Sequence, residues 1–147
     1  IVAPPGRLSL LGVSVQFYAD ARLLFVVPRE AFYPPPKVAS AVVRIDVRDR
    51  PAVDVPDVEQ FFEVVRAGFS QPRKQLHNAL ATRLWLPPES APDILRSAGI
   101  DPMRRAQTLS LPEWAAVAAA VRAAQAGARD ATRTPNPAAE SSDVPST

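Results

Sequence analysis

The chain has 147 residues, of which 47% are hydrophobic and 22% charged, with a formal net charge of +2 at pH 7. This balance is typical of a globular protein, and no apolar run approaches the ~20 residues that a membrane-spanning helix needs. The chain contains no cysteine and one histidine, which excludes disulfide frameworks and thiolate metal sites. We therefore expect a cytoplasmic protein without a metal site and without a membrane partner.

The first part of the chain predicts one helix and two strands. Residues 8–18 predict a short helix, because apolar residues recur at intervals of three or four: Leu8, Leu11, Val15 and Tyr18. Residues 21–28 (ARLLFVVP) form a continuous apolar run, which predicts a strand buried on both faces. Residues 40–48 (SAVVRIDVR) predict a second, partly alternating strand. Because about a dozen residues without a helix join the strands, we expect them to be antiparallel.

The loop between these strands reads FYPPPKVAS over residues 32–40. Its three successive prolines fix the backbone in an extended form and remove three hydrogen-bond donors, which makes the loop stiff. In one interpretation, Phe32 and Tyr33 simply cap the core of the sheet. In the other, they offer a stacking surface for a planar group such as a nucleobase.

Helices are predicted after a proline-containing linker at 49–56. Asp57 and Gln60 resemble a capping box for a helix that ends near Phe69, and a second helix should follow Pro72 with leucines on one side. A third helix should begin at Ser90 as its cap and end at Gly99. Residues 101–105 predict one helical turn with Asp101 as its cap.

A last helix is predicted from a capping box formed by Ser110 and Glu113, and it should end near Ala124. From Gly127 the composition indicates disorder. Both tryptophans, Trp85 and Trp114, are predicted in the core, since each lies among leucines or alanines.

Cations are concentrated within residues 64–88, which contain no acid. They are Arg66, Arg73, Lys74 and Arg83. This segregation is typical either of a solvated helix face or of a basic patch that faces an anion. His77, in the same segment, is predicted as a helix-surface or RNA-facing residue rather than as a catalytic base, because no acid lies near it in the sequence.

Three blocks of the sequence resemble the C-terminal half of the ribosomal RNA adenine dimethyltransferases. They are FYPPPKVASAVV (32–43), FFEVVRAGFSQPRKQLHNAL (61–80) and AGIDPMRRAQTLSLPEWAAV (98–117). The third block favours the housekeeping branch, whose members modify small-subunit ribosomal RNA.

The resemblance implies an α/β plus α fold. The last helix and two antiparallel strands of a Rossmann-like methyltransferase domain would be followed by a small all-helical C-terminal domain. We expect the methyltransferase part at 1–48, the linker at 49–56, the helical RNA-recognition domain at 57–125 and a disordered tail at 126–147.

The resemblance also implies roles for individual residues. Phe32 matches the aromatic that packs against the flipped target adenine, with Lys37 on the same loop. The implied RNA contacts in the helical part are Arg66, Arg73, Lys74, Arg83, Arg104 and Arg105. Pro72 stands where the family has an arginine, and Ala39 where it has Asp or Asn, so one cation and one turn hydrogen bond are missing.

The family uses S-adenosylmethionine, but its glycine-rich donor loop and its Asn-Leu-Pro-Tyr motif have no counterpart in this sequence. We therefore expect a C-terminal fragment that is inactive alone, with the donor site outside this chain. The expected partner is small-subunit ribosomal RNA in the immature small ribosomal subunit, and the expected state is a monomer. Two alternatives stay open: a non-enzymatic RNA-binding helical module, and a resistance methyltransferase that acts on large-subunit ribosomal RNA.

Overall fold

The computed structural model of the chain describes residues 1–4 and 6–133. Helix α1 (Leu10–Tyr18) precedes two antiparallel strands, β1 (Ala19–Val27) and β2 (Ser40–Val47). Four helices follow: α2 (Val58–Phe69), α3 (Leu76–Arg83), α4 (Ala91–Ser97) and α5 (Leu111–Thr132). Short 3-10 helices lie at Arg29–Ala31 and Ala106–Thr108. The predicted order of one helix, two antiparallel strands and a run of helices is confirmed.

Strands β1 and β2 pair from Ala19 opposite Val47 to Val27 opposite Ser40, with a bulge at Leu24. The prediction that β1 is buried on both faces is wrong for the described chain, because its four central apolar side chains, residues 23–26, are 50–57% exposed. Among the described residues the sheet has two strands. A pair of strands cannot cover its own faces, so apolar residues on it stay accessible.

Helix α1 is confirmed, but it buries a different face from the predicted one. Phe17 is fully buried, whereas Leu11 and Tyr18, both on the predicted face, are exposed. Most residues of this helix are apolar, so spacing alone does not select a face. The ring of Phe17 stacks on Phe61 of α2 with ring centroids 5.0 Å apart, and this contact decides which face lies inside.

The segment 49–56 contains no helix or strand, as expected of a linker, but it packs against the protein. The Ala52 N–H donates to the Phe17 carbonyl (2.9 Å). Val53 and Val55 lie half-buried against the hydrophobic core. The segment therefore holds α1 close to the later helices.

Helix α2 is capped by Asp57, whose carboxylate accepts a hydrogen bond from the Gln60 N–H (3.1 Å). The predicted capping box is incomplete, because the Gln60 side chain donates instead to the Ala118 carbonyl of α5 (3.0 Å). The glutamine thus ties two helices together. The predicted end of α2 at Phe69 is confirmed.

Helix α3 begins at Leu76 and not at Pro72, because residues 71–74 form a non-helical turn. The Leu76 N–H donates to the Arg104 carbonyl (2.7 Å). A backbone donor in the first turn of a helix has no partner within the helix, and here the 101–105 segment supplies one. The sequence pattern near Pro72 carries no sign of this distant contact.

Helix α4 ends as predicted at Gly99, which has φ +75°, and the Ile100 N–H donates to the Leu95 carbonyl (2.9 Å). Only glycine adopts this left-handed conformation without strain. Ser90 stands at the start of α4, but its hydroxyl donates to the Pro87 carbonyl (2.8 Å) and caps no helical N–H, contrary to the prediction.

The helical turn predicted at 101–105 is a non-helical turn in the structure. The Asp101 carboxylate accepts a hydrogen bond from the Met103 N–H (2.9 Å). The capping box of α5 is confirmed: the Ser110 hydroxyl accepts from the Glu113 N–H (3.3 Å), and the Glu113 carboxylate accepts from the Ser110 N–H (3.0 Å).

Helix α5 continues to Thr132, beyond the predicted end near Ala124. The predicted disordered tail (126–147) therefore begins with residues that are helical, and residues 134–147 lie outside the described part of the chain. The prediction treated the loss of large apolar residues as the end of the helix. Alanine, the strongest helix former, recurs at 126, 128 and 131, and it favours a helix even on an exposed face.

One hydrophobic core joins α1 to the four later helices. Its largest fully buried side chains are Trp114, Phe17, Phe61, Leu76, Leu80, Leu95 and Leu109. The core thus crosses the boundary predicted between residues 1–48 and 57–125.

Trp114 lies in the core as predicted, but Trp85 does not, since 91% of its surface is exposed. Its neighbours Leu84 and Leu86 both pack against the core. They take the inward positions of the turn after α3, so the indole between them faces solvent.

Candidate nucleic-acid interface

The loop from 28 to 39 is exposed along its whole length. Tyr33 is fully exposed and Phe32 is 44% exposed. The Phe32 N–H donates to the Arg29 carbonyl (3.3 Å), which closes the 3-10 turn before the prolines. The interpretation in which both aromatics cap the sheet is therefore wrong for Tyr33. Phe32 has its backbone fixed by the turn and part of its ring exposed to solvent.

Lys37 lies on the same loop, exposed and without an ion pair among the described residues. Within that part of the chain, no hydrogen bond or ion pair joins the loop to the helices. The loop thus presents an aromatic ring and a cation on one stiff segment, apart from the basic residues of the helical part.

Five of the six cations predicted for the helical part are exposed and form no ion pair with a described residue. They are Arg66, Arg73, Lys74, Arg83 and Arg105. The hydrogen bond from Leu76 to Arg104 places the 104–105 backbone beside the start of α3, so that three of the five lie near that end of the helix: Arg73, Lys74 and Arg105.

Arg104 differs from the other cations, because its guanidinium is used within the protein. It donates to both oxygens of the Glu113 carboxylate, to the Thr108 carbonyl (2.6 Å) and to the Thr108 hydroxyl (3.2 Å). Both side chains of the ion pair are 31% exposed. Arg104 therefore clamps the 101–105 turn to the start of α5 with most of its N–H groups, and its predicted RNA contact stays a prediction.

The hydrogen bond from Arg104 lowers the pKa of Glu113 from its ordinary value of 4.5 to about 2. The hydrogen bonds from Ser110 and the positive charge of Arg104 act in the same direction, while burial opposes them. The carboxylate is thus charged throughout the neutral range. Its charge offsets that of Arg104 within the basic surface.

Arg66 and Arg83 line a groove of about 760 Å³ that the sequence interpretation did not anticipate. Arg122 and Arg129 of α5 and the exposed Trp85 line the same groove. Arg129 was missed because α5 was predicted to end near Ala124, and Trp85 because it was predicted in the core. Arg122 lies within the predicted helix but outside the acid-free segment 64–88 that drew attention to the other cations. The spacing of Arg122 and Arg129, two helical turns apart, was the available signal that they share a face.

His77 lies half-buried on α3, with its Nε2 2.9 Å from the Gln75 side-chain oxygen.

Residues 1–4 and 6–133 contain no group of three or more His, Cys, Asp or Glu that could hold a metal ion. No helix in these ranges is long and apolar enough to cross a membrane.

Comparison with known proteins identifies close relatives. The family described as "Ribosomal RNA adenine dimethylase" matches residues 1–120. Two proteins called ribosomal RNA small subunit methyltransferase A are 48% identical over 121 residues (Pelotomaculum thermopropionicum) and 47% identical over 123 residues (Desulfitobacterium hafniense). These matches cover 80% and 82% of this chain but only 41% and 44% of the relatives' lengths.

Two solved structures are similar in fold. The 23S rRNA methyltransferase ErmE matches with a TM-score of 0.57 and 22% identity, over 80% of this chain and 47% of its own. A dimethyladenosine transferase from Plasmodium falciparum matches with a TM-score of 0.58 and 20% identity, over 79% and 50%. At these identities the likeness shows a common fold.

Proposed function

The chain belongs to the ribosomal RNA adenine dimethylase family, and from this we propose that it is the RNA-recognising part of an enzyme that dimethylates adenosines in small-subunit ribosomal RNA. The family match over residues 1–120, together with 46–48% identity to small-subunit methyltransferases, carries the proposal. The 23S rRNA enzyme resembles the chain at 22% identity. Sequence similarity therefore favours a small-subunit substrate over a large-subunit one.

In this proposal Phe32 forms one wall of the pocket that receives the target adenine. A base must leave its stack before an enzyme can reach its exocyclic amine. A half-exposed ring on a proline-stiffened loop offers a stacking surface that loses little entropy when the base binds. Phe32 orients the base and transfers no proton, and Lys37 on the same loop contacts a neighbouring phosphate.

In the proposed reaction S-adenosylmethionine supplies the methyl groups that are added to the adenine amine. The five glycines of the chain, Gly6, Gly12, Gly68, Gly99 and Gly127, are scattered and form no glycine-rich loop. The groove that Arg66, Arg83 and Trp85 line contains no glycine among the described residues of its lining. No residue of this chain is therefore proposed to hold the donor. We propose that a cytoplasmic parent enzyme binds the donor with residues outside this sequence.

The exposed cations of the helical part would contact RNA phosphates. The set is Arg66, Arg73, Lys74, Arg83 and Arg105, without Arg104. Each phosphate contact releases counterions, so the logarithm of the RNA affinity should fall linearly with the logarithm of the salt concentration. The helical domain that the sequence predicts at 57–125 would then hold the folded RNA while the loop receives the adenine.

The test is a titration of the 147-residue chain with an RNA fragment from the 3′ region of small-subunit ribosomal RNA over a salt series, beside a titration with S-adenosylmethionine. We expect salt-sensitive RNA binding and no donor binding. A large-subunit RNA fragment of equal length is the matched control and should bind more weakly. RNA binding that is absent or insensitive to salt contradicts the proposal, and micromolar donor binding contradicts the assignment of the donor site.

The role of the loop is tested with 2-aminopurine in place of the target adenine. Phe32→Ala should reduce the change in 2-aminopurine fluorescence on binding and weaken affinity roughly 5- to 150-fold, the effect of losing one base–aromatic stack. Tyr33→Ala is the matched control on the same loop. If Phe32→Ala and Tyr33→Ala behave alike, the chain is better described as a non-enzymatic RNA-binding module.

A further inference from the structure

Trp85 occupies an unusual place in the helical part of the protein. It follows the end of α3, is 91% exposed and has φ +54°. Among the described residues it is the one non-glycine residue with positive φ. Within the part of the chain that the structure describes, its side chain forms no ring contact of the kind that Phe69 forms with Trp114.

This conformation is costly for a bulky residue, because its Cβ lies too close to the backbone in the left-handed region. The cost is offset by the way α3 ends: the Leu86 N–H donates to the Ala81 carbonyl (3.1 Å), and Leu84 and Leu86 pack against the core. Folding therefore fixes the backbone of Trp85 and leaves its indole in solvent. An indole held in this way is available to a flat ligand.

On one side of Trp85 lies the groove of about 760 Å³, lined by four arginines: Arg66, Arg83, Arg122 and Arg129. Asp57, Glu59 and Glu63 line the same groove. Even so, none of the four arginines forms an ion pair within 4.0 Å in the described part of the chain. Their guanidinium groups remain available to an anionic ligand.

On the other side of Trp85 lies a second groove of about 770 Å³, lined mainly by apolar residues such as Leu86, Pro87 and Ile94 and by alanines of α5. Trp85 thus lines both a charged groove and a mainly apolar one. A nucleotide has the same division, with a charged phosphate at one end and a flat apolar base at the other.

We propose that Trp85 and the four groove arginines form a binding site for an unpaired RNA segment. One base stacks on the indole, and the adjoining phosphates contact the guanidinium groups. An exposed aromatic beside a cationic channel is how proteins hold single-stranded nucleic acid. The choice of RNA rests on the proposed function, and the site is separate in sequence and structure from the Phe32 loop.

The chain offers a direct spectroscopic test, because its two tryptophans differ completely in exposure: Trp114 is fully buried and Trp85 is not. An unstructured oligoadenylate should quench the fluorescence of the 147-residue chain. An abasic oligomer of the same length keeps the phosphates and removes the bases, so it should bind more weakly and quench little.

The informative variant is Trp85→Gly, because glycine adopts positive φ without strain. It should unfold at a urea concentration no lower than the wild type, yet bind oligoadenylate roughly 5- to 150-fold more weakly. Trp85→Phe should lose the quenching and keep part of the affinity. A loss of affinity without a loss of stability separates a binding role from a structural one.

The phosphate contacts are tested with Arg122→Gln and Arg129→Gln. Each should reduce the slope of log affinity against log salt by about 0.7, the value for one phosphate of a single strand. Arg50→Gln, at an exposed arginine outside the groove lining, is the control. Glu59→Gln should strengthen binding, because it removes a negative charge from the groove.

The outcomes distinguish this inference from the proposed function. If the wild type binds the small-subunit RNA fragment, but oligoadenylate does not quench the wild-type fluorescence and Trp85→Gly binds oligoadenylate equally well, the site is wrong and the proposed function stands. If the wild type binds no RNA, both fail. If an oligoadenylate leaves Trp85 unquenched while the chain self-associates through it, the surface is a protein contact and the inference is overturned.

Discussion

At the scale of single residues, Gly68 shows how tightly the helices are packed. A methyl group built at this position of α2 would lie 2.5 Å from the Cη2 atom of Trp114 and 3.0 Å from the Cδ1 atom of Leu76. Both side chains are fully buried, so neither can move away at little cost. The glycine is needed for close approach of α2 and α5, not for its backbone conformation.

Gly68→Ala should therefore lower the free energy of unfolding by up to about 2 kcal/mol, because the cost of overpacking, roughly 1–3 kcal/mol, is offset only in part by a gain of about 1 kcal/mol in helix propensity. The measurement is urea denaturation followed by circular dichroism. Gly127→Ala on α5 is the matched control, since no atom lies within 4 Å of its added methyl. It should stabilise the protein by about 0.5–1 kcal/mol, and equal shifts for the two variants would contradict this account.

At the scale of elements, the start of α5 is organised by Glu113. The carboxylate closes the capping box with Ser110 and also accepts hydrogen bonds from the guanidinium of Arg104. The backbone carbonyl of Arg104 in turn accepts a hydrogen bond from the Leu76 N–H. One carboxylate thus connects the beginnings of α3 and α5 through the 101–105 turn.

This arrangement makes stability depend on pH in a defined window. The pKa of Glu113 is lowered to about 2 in the folded protein, so the charged form is favoured by folding. Its contribution is present above the ordinary pKa of 4.5 and is lost as the pH falls from there towards 2. The free energy of unfolding, measured by urea denaturation at several pH values, should decline across that window.

Glu113→Gln should remove this part of the decline and lower the free energy of unfolding at pH 7 by about 1.5–3 kcal/mol, the magnitude of hydrogen bonds to charged groups. Glu89→Gln, at an exposed acid without an ion pair among the described residues, is the control and should change neither quantity. A Glu113→Gln protein with an unaltered pH profile would show that the clamp contributes nothing to stability.

At the scale of the whole molecule, α1 belongs to the same core as the helices that follow the strands. The ring of Phe17 stacks on Phe61 and meets Phe62 edge-on, with ring centroids 5.0 and 5.1 Å apart. The predicted division between 1–48 and 57–125 stays a prediction, and this contact is where it can be tested.

Phe17→Ala should lower the free energy of unfolding of the helical part by about 3–5 kcal/mol, because it leaves a cavity within the shared core. In a Trp85→Phe background the fluorescence of Trp114 on α5 reports that unfolding alone. Tyr33→Ala, at a fully exposed aromatic, should leave the midpoint unchanged. An unshifted Trp114 transition in Phe17→Ala would mean that the two parts unfold independently, as the predicted boundary requires.

The differences between sequence and structure share a physical cause. The capping box of α5, the stop at Gly99 and the antiparallel strands were predicted correctly, since each depends on local chemistry or on loop length. The start of α3, the buried face of α1 and the exposure of Trp85 were predicted wrongly. Each of these depends on a contact distant in sequence. The start of α3 depends on the Arg104 carbonyl, the buried face of α1 on Phe61, and the exposure of Trp85 on the packing of Leu84 and Leu86 against the core.

The candidate site divides in the same way. The three sequence blocks alone indicated the family, the aromatic loop and the exposed cations, because those features are contained in short motifs. Tertiary structure alone decided that Arg104 is held by Glu113, and that Arg66, Arg83, Arg122, Arg129 and Trp85 meet along one groove. Residue type determines which chemistry a side chain can perform, but packing between distant helices determines which charges are neutralised and which stay free for a ligand.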